Sequence, residues 1–151
     1  MRDAHVARML FAWLLAAGCE PSDTCKEDVR AQVIDERVEL TIGGEDLEAE
    51  LADEQVERER GWRHRQCDRE GILLVPDERG PLAVYGCQLV LPIDVAFVRD
   101  GEVVASERLE PCPEPCSQCP LVGEGVEVDA VLEVPVGVWD LGVGVEISGV
   151  P

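Results

Sequence analysis

The sequence predicts a mainly β domain of the α+β class, a small antiparallel β-barrel or sandwich with one or two short helices. At least seven short segments have the apolar or alternating pattern of strands. Turn signals such as Gly43-Gly44 and Asp100-Gly101 separate some of them. Many short strands with few helical segments are typical of a barrel or sandwich.

The first elements predicted along the chain are a hairpin and a short helix. Residues 38–42 and 47–51 alternate apolar and polar side chains, as half-buried strands do. The intervening Gly-Gly-Glu-Asp is a turn signal, so the two segments are expected to pair. Asp53 is placed to cap a charged helix through about Arg60, which Gly61 ends.

The rest of the chain predicts further strands with little helix. These strands are expected over 72–75, 82–85, 89–98, 102–109, 130–136 and 145–147. Asp100-Gly101 predicts a second hairpin. Residues 138–143 predict a helical turn and residues 26–35 some helix. No internal repeat or second domain is evident.

The N-terminus resembles the signal segment of a bacterial lipoprotein. Basic residues precede a nine-residue apolar run, 9–17, which is far shorter than the roughly 20 apolar residues that span a bilayer. The run ends in Leu-Ala-Ala-Gly-Cys, which resembles a lipobox with Cys19 as the lipidated residue. We therefore expect a signal peptide over 1–18, a polar tether over 19–37 and one domain over 38–151. The expected location is the bacterial cell envelope, periplasmic or on the outer surface.

The domain is strongly acidic. Residues 1–18 hold two arginines and one aspartate, so the remaining 133 residues carry 11 basic and 31 acidic side chains, a formal charge of −20. Phosphate backbones require cationic partners, so this charge argues against nucleic acid. The acidity indicates a well-solvated surface, with membrane contact through the lipid.

Four stretches of the chain together resemble the DUF192 family of uncharacterised bacterial and archaeal proteins. They are Glu-Arg-Gly-Trp-Arg-His-Arg at 59–65, Gly-Ile-Leu-Leu-Val at 71–75, Leu-Pro-Ile-Asp-Val-Ala-Phe at 91–97 and Val-Leu-Glu-Val at 131–134. The resemblance spans about 38–147 and implies a compact β-rich domain. It implies no activity, since none is established for the family.

The sequence departs from the family pattern in the run just before the Pro-Ile-Asp segment. Where family members usually have Trp-Met-Lys-Asn-Thr, this chain has Tyr85-Gly86-Cys87-Gln88-Leu89. Cys87 stands at the lysine position and Gln88 at the asparagine position. Arg63 replaces a methionine of the usual Gly-Leu-Met segment. The resemblance therefore implies a divergent member, which has lost the cation of the site if the family binds a ligand through that lysine and asparagine.

Six cysteines remain besides Cys19, and in an exported chain they predict disulfides. Glu110 and Glu114 disfavour the thiolates that a zinc site would need. The Pro-Cys-x-x-x-Cys part of 111–120 also resembles a segment of some DUF192 members, which implies a local staple. The expected pairs are Cys112–Cys116, Cys67–Cys87 and Cys25–Cys119.

The candidate chemistry centres on one acid within an apolar strand. Asp94 is either a buried carboxylate with a raised pKa, usable as an acid or base, or a group bonded to nearby backbone donors. A ligand groove is expected to contain Tyr85, Gln88, Asp94, Arg60 and Arg65.

A histidine offers a second possible chemistry. His64 with Cys67 or Cys87 would form a nucleophile pair, but His64 also fits a solvated basic cluster spanning Arg60 to Arg65. The sequence indicates no cofactor and no metal.

Three functions remain open at this point. The sequence favours a lipid-anchored envelope domain that acts as a non-catalytic binding or accessory module of unknown ligand. The alternatives are a small hydrolase or transferase that uses Asp94 near the Arg60–Arg65 cluster, and a cysteine-based metal or redox protein.

Overall fold

Nine strands and one α-helix form within residues 25–67 and 70–151, which this computed structural model describes. The predicted signal segment and Cys19 lie outside these residues. The elements are β1 (Arg37–Ile42), β2 (Glu45–Ala52), α1 (Gln55–Arg60), β3 (Ile72–Leu74), β4 (Gly80–Pro81), β5 (Ile93–Arg99), β6 (Glu102–Leu109), β7 (Glu127–Val128), β8 (Ala130–Pro135) and β9 (Ile147–Ser148). A 3₁₀ helix covers Cys116–Gln118.

Seven strands form one sheet that curls into a nearly closed barrel. Their order is β6-β5-β8-β3-β2-β1-β9, and only the β2–β3 pair is parallel. The two ends of the sheet meet where the Val103 N–H donates to the Val145 carbonyl at 3.0 Å and the Gly144 N–H donates to the Val103 carbonyl at 2.9 Å. The predicted mainly β fold with one short helix is confirmed.

Two apolar layers cover the two faces of this sheet. Side chains such as Leu40, Leu73 and Leu132 fill the barrel interior. Ile72, Val95 and Val131 belong to the opposite face, where Trp62 and Val84 pack on them. Because successive strand residues alternate between the two faces, the central strands β3, β5 and β8 are mainly apolar on both, with Asp94 of β5 and Glu133 of β8 as the acids among them.

Several predicted elements differ in the structure. Residues 82–85 form only a single bridge, between Val84 and Val122, and the strand expected over 89–98 begins at Ile93 because Pro92 has no N–H to donate. Residues 138–143 form turns instead of a helical turn, and 26–35 contain no helix. The N-cap of α1 is Glu54, whose N–H donates to Glu57 at 3.4 Å, and not Asp53.

The described part of the expected tether, residues 25–36, lies against the domain. Ile34 is only 2% exposed. The Gln32 side-chain amide donates to the carbonyls of Glu57 and Gly61, at 3.0 and 2.9 Å. Glu27 accepts from the backbone N–H of Gln66 at 2.6 Å. In the described part of the chain, no helix has the length and apolarity needed to cross a membrane.

Three disulfides join the six described cysteines, as Cys25–Cys67, Cys87–Cys116 and Cys112–Cys119. Disulfide bonding is therefore confirmed, but the pairing expected from the sequence is wrong. The 111–120 loop folds back along the residue before Cys87, where the Cys112 N–H donates to the Gly86 carbonyl at 2.8 Å. This contact brings Cys116 to Cys87 and leaves Cys112 to pair with Cys119.

Candidate functional site

A pocket of about 280 Å³ opens beside α1, and we call it the α1 pocket. Its walls combine apolar residues with polar and charged ones. The lining residues are Gln55, Arg58, Glu59, Arg60, Gly61, Trp62, Arg63, Leu82, Ala83, Val84, Tyr85, Leu89 and Glu133. The pocket thus joins the helix and the loop after it to strand β8 and to the 82–89 segment.

Glu133 is the buried carboxylate of this pocket. It lies on β8, paired across the sheet with Ile72 of β3 and Val95 of β5, and it is 4% exposed. Its carboxylate accepts a hydrogen bond from the Trp62 backbone N–H. Its Oε2 has no hydrogen-bond partner. The pocket therefore contains a carboxylate oxygen that is removed from water and left unpaired.

Burial controls the ionisation of Glu133. Loss of water around the carboxylate raises the pKa of Glu133 to about 7, against the opposing effects of Arg65, the Trp62 N–H and Arg63. The carboxylate is therefore only partly ionised at neutral pH. A strongly shifted carboxylate within a pocket is a typical mark of a functional site.

Gly61 makes room for this carboxylate. It follows α1 with a φ of 45°, a conformation that favours glycine. A Cβ at this position would lie 3.0 Å from Oε2 and 3.3 Å from Oε1 of Glu133. A side chain here would therefore press on the carboxylate, so glycine keeps the space beside Oε2 clear of side-chain atoms.

Arg65 lies behind the pocket and pairs with a second buried acid. It forms an ion pair with Glu50 of β2, and its Nη2 also donates to the Gln32 carbonyl at 3.2 Å. The guanidinium lies 5.5 Å from the centre of the Trp62 ring. Its Nε and Nη1 have no hydrogen-bond partner. Arg65 thus supplies positive charge near Glu133 while it fixes the loop after α1.

Arg63 and Tyr85 stand together in the pocket wall. Arg63 donates to the Tyr85 hydroxyl, and its guanidinium lies 5.1 Å from the centre of the Tyr85 ring. Arg60 is exposed beside them. The basic cluster expected over 60–65 is therefore divided between an exposed residue, one in the pocket wall and a buried one.

The structure brings only part of the predicted ligand groove together. Tyr85 and Arg60 line the α1 pocket and Arg65 lies behind it. Gln88 instead donates from its side chain to Glu114, and its carbonyl accepts from the His64 N–H at 2.9 Å. Asp94 is not among the lining residues.

Asp94 is held in an ion pair on the other face of the sheet. It accepts from Arg108 Nε at 2.8 Å and from the Gly137 N–H at 2.7 Å. Burial opposes its ionisation, but the Arg108 and Gly137 hydrogen bonds outweigh burial and lower the pKa of Asp94 below its usual value. The hypothesis of a raised pKa is wrong. The alternation of β5 places Asp94 on the side of Ala96, opposite Val95 and its partner Glu133.

The alternative of a histidine–cysteine nucleophile pair has no free thiol in this structure. Cys67 and Cys87 are both disulfide-bonded, so neither has a free thiol beside His64. Over 25–67 and 70–151, no group of three or more His, Cys, Asp or Glu residues is placed to hold a metal ion. The cysteine-based metal or redox hypothesis therefore has no free cysteines among the described residues.

Sequence reasoning did not single out Glu133. It appeared only within the Val-Leu-Glu-Val stretch at 131–134. The sequence does contain a signal, because Glu133 is an acid at the centre of the apolar segment 130–136. This pattern is the same one that singled out Asp94. The contrast between the two acids arises from which side of the sheet each occupies and what packs there.

Comparison with known proteins supports this fold. A Sinorhizobium meliloti 1021 protein proposed to be a transcription regulator superposes with a TM-score of 0.66 at 24% identity, over 78% of this chain and 97% of its own. A Novosphingobium aromaticivorans DSM 12444 protein of unknown function gives 0.60 at 22%, over 74% and 84%. These likenesses show a shared fold. No curated protein matches the chain.

The sequence itself also matches a family profile. The profile is DUF192, described as "Uncharacterized ACR", and the match covers residues 38–148. This range contains the α1 pocket and all the strands described above except Arg37, the first residue of β1. The chain belongs to the DUF192 family.

Proposed function

We propose that this protein is an exported, lipid-anchored domain of the bacterial cell envelope that binds a small ligand in the α1 pocket without catalysis. The observation that carries the location is the pairing of all six described cysteines in three disulfides. Disulfides persist in oxidising compartments outside the cytoplasm. The lipid anchor is supported by the lipobox-like residues before Cys19.

A binding role is supported by the form of the α1 pocket. The pocket combines apolar walls with polar and charged side chains, and small-molecule sites likewise place polar groups beside apolar surface. Its size, about 280 Å³, lies near the lower end of the usual range for such sites. A small molecule is therefore the kind of ligand that fits.

The alternative of an enzyme that uses Asp94 requires this residue to lie near the Arg60–Arg65 cluster. Asp94 is engaged by Arg108 and Gly137, on the sheet face opposite the one that carries Glu133. The thiols that would act as nucleophiles are bound in disulfides. We therefore favour binding over reaction.

Fractionation of cells that express the full chain tests this proposal. The wild-type protein should be in the membrane fraction with its six described cysteines oxidised. Cys19→Ala should move it to the soluble fraction, whereas the matched Ser22→Ala should leave it on the membrane. Wild-type protein in the cytosol with reduced thiols would overturn the proposal, as would Cys19→Ala that stays on the membrane.

A further inference from the structure

We infer that Glu133 is the recognition group of the α1 pocket, and that the ligand is a small uncharged molecule that donates an N–H or O–H to Oε2. This inference rests on the proposed function because it takes the α1 pocket as the binding site. It goes further by assigning the binding residue and the ligand's chemical class.

The first argument is the unpaired oxygen. In folded proteins buried polar atoms are nearly always hydrogen-bonded, because a buried acceptor without a donor costs free energy. Glu133 Oε2 is buried and has no partner, while the residue lines a pocket. Oε2 itself is closed to water, so a donor in the pocket would satisfy it after a small rotation of the carboxylate toward the pocket.

The second argument is the space kept beside that oxygen. Gly61 is the residue whose Cβ would come within 3.0 Å of Oε2. The loop after α1 therefore passes over the carboxylate without placing a side chain on it. This arrangement leaves the carboxylate bordered by backbone on one side and by the pocket on the other.

The charges around Glu133 select an uncharged ligand. Arg65 and Arg63 are close enough to act on the ionisation of Glu133. The charges that line the pocket nearly balance, because Arg60 and Arg63 are matched by Glu59 and Glu133, and Arg58 is paired with Asp77. The lining therefore gives a cationic ligand no net attraction. An anionic ligand would bring a second negative charge beside the carboxylate at a site shielded from water, where repulsion is strong. A neutral donor avoids this repulsion and needs no such attraction.

The size and the apolar residues of the pocket limit how large the ligand is and indicate that part of it is apolar. The pocket volume of about 280 Å³ is enough for a small molecule. Leu82, Val84 and Leu89 present apolar surface. The ligand is therefore expected to combine a small apolar body with an amide or hydroxyl group.

Nuclear magnetic resonance titration of the exported protein, purified with its disulfides intact, tests this assignment. The probes are acetamide, acetate and methylammonium, which are all small enough for the pocket and differ in charge. At pH 8, millimolar acetamide should shift the backbone amide signals of Gly61 and Trp62, while equal concentrations of acetate and methylammonium should not. Glu133→Gln should weaken acetamide binding at least tenfold, and the exposed Glu107→Gln should leave it unchanged.

The inference fails if none of the probes shifts the Gly61 and Trp62 signals, or if acetate or methylammonium binds as well as acetamide. It also fails if a folded Glu133→Gln protein binds acetamide as the wild type does. The comparison of probes uses the wild-type protein, so it holds even where a variant does not fold. Failure here would leave the envelope location intact, because fractionation tests that separately.

Discussion

Arg65 and Glu50 form an ion pair inside the protein, with side chains only 0% and 5% exposed. Arg65 comes from the loop after α1 and Glu50 from β2, so the pair links this loop to the barrel wall. Arg37 Nη2 also lies 3.6 Å from Glu50 Oε1, so loss of Arg65 would leave Glu50 buried with this longer contact in place of its main partner, which is more costly than loss of a surface pair.

Arg65→Met should therefore lower the free energy of unfolding by up to roughly 3 kcal/mol, since Arg37 still partly compensates the charge of Glu50. The exposed Arg60→Met is the matched control, and it should change stability by no more than about 0.5 kcal/mol. Urea denaturation at pH 7 measures both. Equal losses for the two variants would show that the buried pair has no special role in stability.

Glu133 should make stability depend on pH. Its folded pKa of about 7 is above its ordinary value of 4.5, so the folded state keeps a proton that the unfolded state releases between these pH values. Stability should therefore fall as pH rises through this window and level off above it. Arg65 and Arg63 face the carboxylate and reduce this penalty, and Glu50 pairs with Arg65 nearby.

Glu133→Gln should remove this pH dependence. The free energy of unfolding of the variant minus that of the wild type should increase by up to roughly 3 kcal/mol between pH 5 and pH 8. Denaturation curves of both proteins at several pH values give the difference directly. A difference that stays constant across this range would contradict the raised pKa.

Asp94→Asn should destabilise the barrel by about 1–2 kcal/mol at pH 7, because it loses the charge-assisted bonds to Arg108 and Gly137. The lowered pKa of Asp94 means that this contribution is present above about pH 4 and is lost as pH falls further. Thermal unfolding at pH 7 and pH 3 checks both statements, with Glu107→Gln as the control. A variant as stable as the control at pH 7 would rule out a structural role for the Asp94 ion pair.

Peptide mapping of the oxidised protein should recover the pairs Cys25–Cys67, Cys87–Cys116 and Cys112–Cys119. These bonds close loops with sequence separations of 42, 29 and 7 residues. Replacing both cysteines of a pair by alanine should cost about 4 kcal/mol for the longest loop and about 2–3 kcal/mol for the shortest. A different set of cross-linked peptides would contradict the loop arrangement.

Gly86→Ala should be strongly destabilising. A Cβ at Gly86 would lie 1.9 Å from the carbonyl oxygen of Glu110, so the 111–120 loop would have to move away. We expect a loss of about 2 kcal/mol or more. Gly80→Ala is the control, since its Cβ would meet nothing closer than 3.8 Å. Similar melting temperatures for the two variants would argue against this close approach.

Local pattern was sufficient for the hairpins. The β1–β2 hairpin was predictable because both strands alternate and Gly43-Gly44 fixes the turn, and Asp100-Gly101 did the same for β5–β6. The parallel pairing of β3 with β2 was not predictable, because it joins segments separated by the helix and its loop. Periodicity describes a strand's faces but does not identify its neighbours.

The site was harder to predict because it depends on tertiary contacts. Tyr85 and Arg60 were placed in a groove, and both line the α1 pocket. Asp94 and Glu133 are both acids within apolar strands, and only the sheet register and the packing over each face separate an ion-paired acid from an unpaired one. The disulfide pairing likewise follows from the fold of the 111–120 loop against Gly86.

The Cys25–Cys67 bond has a consequence for where the domain stands. If the lipid is carried by Cys19, only five residues separate it from Cys25, which is bonded to the domain. A fully extended chain advances at most about 3.6 Å per residue, so the reach from anchor to disulfide is roughly 20 Å. If this bond were opened, the chain could extend as far as Gln32, the first buried residue after Cys25. The maximum distance from the lipid to the domain would then about double. The disulfide would then set the maximum distance between the barrel and the membrane surface, and would keep the barrel close to that surface.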